Sequence, residues 1–304
     1  MTGINITITG TPRSPLVFPL IKGIAIATTA ASGPVNYYAP NGPTLSSFSY
    51  SEGQIVVPGA NLTSLTFNDL VGIAANFAVI GAPLLTTLGA PVLTIVGGDF
   101  APSQLPLLTT MSLPQLKTVN GSYMPLAMPS LNSLAIGSLQ TVTGNFNPAS
   151  LGISSLVAPA LVYVGGNLGP NTLPACTTMS FPSLTTVGGS FNPNIAALTS
   201  LSMPLLTKCG TVAVAGGNLA NITLGTIGTT KSLLDIYIQN QALTQVSVDS
   251  ILALLVSLDG TSGTTLWGAG RRLSLNGGTS STPSAAGSVN KATLVARGAF
   301  VSTN

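Results

Sequence analysis

Apolar residues recur along this chain with a period near 23 residues, in several columns that keep step. Phe77, Phe100, Tyr123, Phe146, Leu168 and Phe191 form one column, each 22 or 23 residues after the last. From Phe100 on, each follows a turn of the Gly97-Gly98-Asp99, Thr143-Gly144-Asn145 or Gly188-Gly189-Ser190 kind. Leu219, after Gly216-Gly217-Asn218, continues the series beyond a five-residue insertion. A second column reads Leu93, Leu116, Leu139, Leu161, Leu184 and Leu206, with proline two positions earlier in every coil but that of Gly137. Three residues on stand Val96, Val119, Val142, Val164, Val187 and Cys209. A third column is Leu85, Leu108, Leu131, Ile153, Cys176 and Leu198, followed three residues on by Leu88, Met111, Leu134, Leu156, Met179 and Leu201.

One such unit buries too little surface to fold alone, so units stack and their columns merge into one core. Each inward side chain contributes about 1.5–3 kcal/mol against the backbone entropy lost. Segments between corners are too short for helices. They predict short parallel strands piled about 4.8 Å apart. The corner glycines are expected to take positive φ, and the Asn, Asp or Ser beside them to bond their own backbone. Proline ahead of each inward leucine is expected to give an extended entry and to block a helix. Cys176 and Cys209 occupy column positions in different coils and are expected as buried, reduced thiols. The fold class is therefore mostly β, a leucine-rich-repeat-like β-solenoid of about 23-residue coils.

The pattern changes at both ends. Residues 1–60 lose the motif and are read as an N-terminal cap or attachment segment, with 61–240 as the repeat solenoid. The apolar stretch Leu16 to Ala27 follows Arg13 as a secretory signal does, but Pro19 and Lys22 interrupt it and Ile4, Ile6 and Ile8 alternate as in a strand. Folded N-terminal strands are expected there rather than a cleaved leader. Residues 241–304 predict a small α+β C-terminal cap. Its first helix is capped by Ser247, with Asp249 in the first turn, and closes at Asp259-Gly260. A strand follows over Leu273 and Leu275, then a second helix from Asn290 to Arg297, then a last strand over Ala299 to Ser302.

Composition narrows the function. Of 304 residues 45% are apolar and only 5% are charged, so the chain folds, with a surface of Ser, Thr, Asn and backbone. Nine basic and six acidic residues leave a net charge of +3, with Arg271-Arg272 the only adjacent basic pair. That is no basic stripe, and nucleic acid is not expected as a partner. No apolar run reaches the length of a membrane-spanning helix, so membrane insertion is not expected. With no histidine, the chain lacks the commonest general base and metal ligand. No metal, cofactor or catalytic residue is expected, and the chain is read as non-enzymatic.

The remaining candidates lie on the surface. Between the third-column residues the pairs Thr86-Thr87, Thr109-Thr110, Asn132-Ser133, Ser154-Ser155, Thr177-Thr178 and Thr199-Ser200 recur. Stacking lays them out as two polar ladders on one face. β-propensity and cross-strand hydroxyl bonding account for them; a contact face for glycan or protein, or for ice, is the functional alternative. The turn column Asn76, Asp99, Ser122, Asn145, Asn167, Ser190 and Asn218 is explained by turn chemistry, with cation or sugar binding the alternative. Glu52 and Asp99 lie 47 residues apart, close to two periods. In register they would be about 9.6 Å apart, within the range of an inverting glycosidase.

The run Phe181-Pro182-Ser183-Leu184-Thr185-Thr186-Val187-Gly188-Gly189-Ser190-Phe191 resembles the repeat of BspA-type leucine-rich-repeat proteins and of receptor-L-domain-like fungal wall proteins, a pattern shared over residues 62–219. The segment from Leu273-Ser274-Leu275-Asn276-Gly277-Gly278 through Pro283-Ser284-Ala285-Ala286-Gly287 to Ala296-Arg297-Gly298 resembles C-terminal segments of phage structural and tail-fibre proteins that carry such repeats. This resemblance implies a virion surface or tail-associated structural protein, made in the host cytoplasm. Its partners would be other virion proteins and a host-surface glycan or protein. By the same analogy it would be a homo-oligomer, with trimers common among virion appendages. A cellular surface adhesin is the alternative, and a carbohydrate-active solenoid enzyme a more distant one.

Overall fold

A computed structural model of the chain describes residues 33–37, 50–51, 55–56, 62–67, 70–226, 235–258, 267–268 and 270–304. The leader-like stretch Leu16 to Ala27 and the helix stop at Asp259-Gly260 lie outside these residues. The chain divides into two compact units, residues 1–153 and 154–304. Both are β-solenoid: parallel strands stack coil upon coil, with partners 23 residues apart over most of the array.

In the first unit each coil visits three sheets. The valine sheet stacks Tyr50–Ser51, Gly72–Ile73, Ile95–Val96, Thr118–Val119 and Thr141–Val142. The threonine sheet stacks Gly33–Tyr37, Leu62–Phe67, Thr87–Gly89 and Thr110–Ser112. The aromatic sheet runs through single bridges, Phe77 to Phe100, Phe100 to Tyr123 and Tyr123 to Phe146. Here the rings stack in the core, with centroids 5.2, 4.9 and 5.1 Å apart and planes within 13° of parallel. This is the strand spacing transmitted to the side chains: identical positions in successive coils sit one strand apart. The pairing of Tyr50–Ser51 and Ile55–Val56 to strands 22 residues later carries the coil pattern upstream of residue 60, where the glycine motif is absent.

The corners differ from the expectation in two respects. Proline does not give an extended entry. Where present it takes the second position of a β-turn, closed by Leu93 N–H donating to Ala90 O at 3.3 Å, Leu116 N–H to Leu113 O at 3.2 Å, and Leu184 N–H to Phe181 O at 3.2 Å, and Gly137 takes that position in the turn from Ile136 to Leu139. Its ring presets the φ that this position requires. A second set of such turns precedes the third column, with Leu85 donating to Ala82, Leu108 to Leu105 and Cys176 to Leu173 around Pro83, Pro106 and Pro174. The first residue of each turn points inward, which adds Leu105, Met128, Leu113 and Ile136 in the first unit and Leu173, Phe181 and Met203 in the second to the core.

Unlike Gly216 and Gly217, with φ of 148° and 138°, the corner glycines from Gly97 to Gly189 take no positive φ. Their role is close approach between coils: a Cβ on Gly121 would lie 2.7 Å from the carbonyl oxygen of Gly98. The left-handed corner falls elsewhere in the coil. Gly81, Gln104, Ala127 and Ser150 stand 23 residues apart with φ of 66°, 58°, 59° and 55°.

In the second unit the valine sheet holds Tyr163–Val164 and Thr186–Val187, and the threonine sheet holds Ser155–Val157, Thr178–Ser180, Ser200–Met203 and Asn221–Leu224. The aromatic sheet passes from Leu168 and Phe191 into Thr211–Ala213, Asp235–Tyr237, Arg272–Ser274 and Phe300–Ser302, all parallel. Two helices interrupt this last stretch, α1 (Gln245–Ser257) and α2 (Ala285–Ala296). The C-terminal segment therefore extends the solenoid sheet through strand–helix–strand crossovers.

The caps of these helices correct the sequence reading. Thr244, not Ser247, caps α1, its Oγ1 accepting from Ser247 N–H at 3.3 Å. Ser247 is buried and its hydroxyl donates to Ala220 O at 3.0 Å. Asp249 lies beyond the first turn and accepts from Ser284 N–H at 3.0 Å, tying α1 to the cap of α2. α2 starts at Ala285 rather than Asn290, because Ser284 accepts from Gly287 N–H at 3.1 Å. Arg297 closes the pair by donating to Val256 O near the end of α1, at 3.0 Å, where a cation suits the helix dipole.

Candidate functional site

The threonine sheet carries the polar pairs. Alternation along each strand places Leu88 and Met111 inward in the first unit, and Leu156, Met179 and Leu201 inward in the second. Their neighbours on either side therefore face out. The register sets Thr87 beside Thr110 in the first unit, and Ser155, Thr178 and Ser200 in a row in the second.

The two members of each pair, alike in sequence, do different work. Thr86 Oγ1 donates to Thr63 O at 2.8 Å and Thr109 Oγ1 to Thr86 O at 3.1 Å, and in the second unit Thr199 Oγ1 donates to Thr177 O at 3.0 Å. The accepting carbonyl also takes backbone donors: Thr86 O receives Thr109 N–H and Thr110 N–H at 2.9 and 3.2 Å. These first-column hydroxyls are thus inter-coil ties. Thr87, Thr110, Thr178 and Ser200 make no side-chain hydrogen bond among the described residues, and stand ready to donate and accept outward. Asn132, Ser133, Ser154 and Ser155 are exposed, and Thr177 is exposed at the tied position.

A further outward column went unread in the sequence. Thr66 and Ser112 lie on the far side of the inward residue, in register with Gly89 between them, which is buried under the Thr66 side chain, as do Val157, Ser180, Ser202 and Thr223 in the second unit. Simple alternation past each inward Leu or Met was the signal. In each unit the sheet therefore presents two parallel outward rows, rich in small hydroxyl side chains.

The turn column is committed to structure in a way turn chemistry did not foresee. Its side chains bond the next coil rather than their own backbone. Asn76 Oδ1 accepts from Asp99 N–H at 2.7 Å, Asp99 Oδ1 from Ser122 N–H at 2.7 Å, Ser122 Oγ from Asn145 N–H at 3.1 Å, and Asn167 Oδ1 from Ser190 N–H at 2.9 Å. Asn218 reaches backward instead, donating to Ala196 O at 2.6 Å. The carboxylate of Asp99 is part of this ladder, and Glu52 lies outside the described residues.

Both cysteines are free and buried in the columns that the repeat assigns them. Burial pushes the Cys176 thiol up, and pushes the Cys209 thiol up to about 11, despite the backbone hydrogen bonds that pull the other way. Neither is an activated nucleophile, which would need a depressed value and access. Among the described residues no group of three or more His, Cys, Asp or Glu could hold a metal ion, and no helix is long and apolar enough to cross a membrane. Compared with known proteins, the chain matches no family model, no curated protein and no solved structure.

Proposed function

We propose that this protein is a virion surface or tail-associated structural protein that acts by presenting a surface, without catalysis. The observation that carries the reading is the threonine sheet: outward rows rich in small neutral hydroxyls, held in register by a second column tied into the backbone. Such a face meets its partner with little reorganisation, because the strand stack has already ordered it. With few charges nearby, contact depends on hydrogen bonding and shape rather than steering. The resemblance of the C-terminal segment to phage structural and tail-fibre proteins that carry such repeats supports the virion setting. It likewise supports assembly with other virion proteins as a homo-oligomer, and a host-surface glycan or protein as the outer partner.

The test has two parts. Labelled antibody and electron microscopy of purified particles locate the protein on the particle exterior or tail under this reading; its absence from washed particles overturns the virion setting. Thr110→Lys and Thr178→Lys, each placing a long charged side chain on the outward row, abolish attachment or assembly while thermal unfolding stays within about 2 °C of the parent. Unchanged attachment and assembly in both variants would remove the threonine sheet as the contact face.

A further inference from the structure

Away from the threonine sheet, residues 154–304 hold a concavity with unspent amide side chains in its lining. It is an open groove of about 530 Å³ on the outer side of the aromatic sheet, within the about 300–1,000 Å³ of small-ligand sites. Three successive coils build it. The bridge of Phe191 to Val212 and the register of Ala213 with Tyr237 put Asn192, Ala213 and Tyr237 in one outward row. The bridge of Asn194 to Ala215 sets a second row beside it. The middle coil contributes Ala213, Ala215 and Gly216 there, with Val214 between them largely buried, and so forms a low floor. The flanking coils rise above it, with Asn192 and Asn194 on one side and Tyr237, Gln239 and Asn240 on the other. The two walls are two strand spacings apart, about 9.6 Å.

Asn192, Asn194, Gln239 and Asn240 are exposed, and their side-chain amides make no hydrogen bond among the described residues. The tyrosine is held from the side by its own strand. Tyr237 Oη donates to Asp235 Oδ2 at 2.9 Å, and Asp235 Oδ1 accepts from Arg272 N–H at 2.9 Å. Gln241, 1% exposed, spends all its hydrogen-bonding groups on the surrounding backbone. Its Oε1 accepts from Gly217 N–H and Leu219 N–H at 3.1 Å each, and its Nε2 donates to Val214 O and Gln239 O at 3.2 Å each. The rim is thus rigid while its amides are free.

We propose that this groove binds a neutral oligosaccharide. Each amide offers a donor and an acceptor in one plane, matching a pair of sugar hydroxyls. The tyrosine ring offers an apolar face to the C–H side of a pyranose and keeps its polar end engaged. The lining itself holds no ionic side chain, and the two nearest, Asp235 and Arg272, are of opposite sign and engaged at the polar end of Tyr237, so the groove offers a charged sugar no net counter-charge. The site stands apart from the threonine sheet and needs no virion setting, so the two readings fail separately.

The test uses the full chain with glucose, galactose, mannose and N-acetylglucosamine oligomers of two to four units, read by saturation-transfer NMR and titration calorimetry. At least one neutral oligomer binds with a Kd of about 1 mM or tighter. Tyr237→Ala and the double change Asn194→Ala with Gln239→Ala each weaken it about tenfold or more. Ala215→Trp fills the floor at an exposed position, removes no hydrogen-bonding group, and abolishes binding with unfolding unchanged. Thr178→Lys leaves binding intact. The proposal is overturned if no neutral oligomer binds, if Ala215→Trp binds as well as the parent, if Thr178→Lys abolishes binding equally, or if sialylated or sulfated sugars bind more tightly than neutral ones.

Discussion

Two corners of one coil show how single residues meet different demands. At Gly121 the constraint is space: an added methyl meets the carbonyl of Gly98, while φ is unremarkable. At Ala127 the constraint is conformation, with φ of 59° in a column that begins with Gly81. The left-handed region costs a non-glycine residue about 1–2 kcal/mol. Ala127→Gly is therefore expected to raise stability by up to about 1 kcal/mol after its own entropic cost, and Gly121→Ala to lower it by more than about 2 kcal/mol. Urea unfolding of the two variants reads both, and equal effects at the two sites would refute the distinction. The thiol of Cys209 offers a second residue-scale check. Its folded pKa of about 11 lies above the ordinary 9.0. Between those values the unfolded chain has lost the thiol proton and the folded chain retains it, so stability falls as pH rises from about 9 to 11. Burial raises the phenol of Tyr123 as well, which steepens the fall above about pH 10. Cys209→Val, which restores the column residue, is expected to flatten the slope between pH 9 and 10; an unchanged slope in denaturant titrations would discount the thiol.

At the scale of elements, hydrogen bonds between coils take the place of long strands. The strands of the valine sheet are two residues long, too short to persist alone. Side chains extend the ladders past their strand ends, through the Asn76–Asp99–Ser122–Asn145 relay and the Thr86 and Thr109 hydroxyls, which donate to Thr63 O and Thr86 O. The structure corrects the reading of Leu219 as the next column member: Phe191 pairs with Val212, only 21 residues on, and past this break Gln241 takes over the tying role with four bonds to backbone. Replacing it by alanine strands the buried Leu219 N–H and Val214 O, at about 1–3 kcal/mol each before relaxation or water entry, and frees the part-buried Gly217 N–H and Gln239 O. Gln241→Ala is expected to cost several kcal/mol and to raise hydrogen exchange at Gly217 and Leu219 first; protection lost uniformly across residues 154–304 would contradict a local clamp. The inward columns were legible from period and polarity, since burial repeats with the coil, except at Leu134, which is only half-buried in a coil that forms no threonine-sheet strand. The proline turns were misjudged because an extended entry and a β-turn both accept the φ of proline, and only the carbonyl three residues back distinguishes them. The cap of α1 was misplaced because Thr244 and Ser247 are both competent caps, and the choice depended on Ala220 O claiming the hydroxyl of Ser247.

At the scale of the whole molecule, the repeated coil makes stability close to a sum of neighbour contacts. Removing residues 101–123, one full coil, joins Phe100 to Met124 and keeps every column in phase. Circular dichroism of that deletion is expected to retain the β signature, with a lower unfolding temperature. Removing 101–112 instead puts the inward columns out of phase and is expected to leave the first unit unfolded. If both deletions behave alike, the coil is not the structural unit. The outward threonine rows were legible in outline because a ladder follows from any stacked repeat. Which hydroxyls remain free did not follow, since that depends on which carbonyl lies one coil below. The amide-lined groove was illegible for a related reason. Asn192, Asn194, Gln239 and Asn240 are scattered over 49 positions and come from coils of irregular length, so no period announces them.

The sequence by itself determined the coil, its inward columns and its parallel stacking, because burial of a recurrent apolar set is a periodic property that composition and spacing express directly. The tertiary structure alone decided the close glycine contacts, the left-handed corner, the extension of the sheet through α1 and α2, and the split between tied and free polar side chains. Each of those depends on what one coil places against another, and a contact across 20 to 37 residues is set by distance in space rather than by position along the chain.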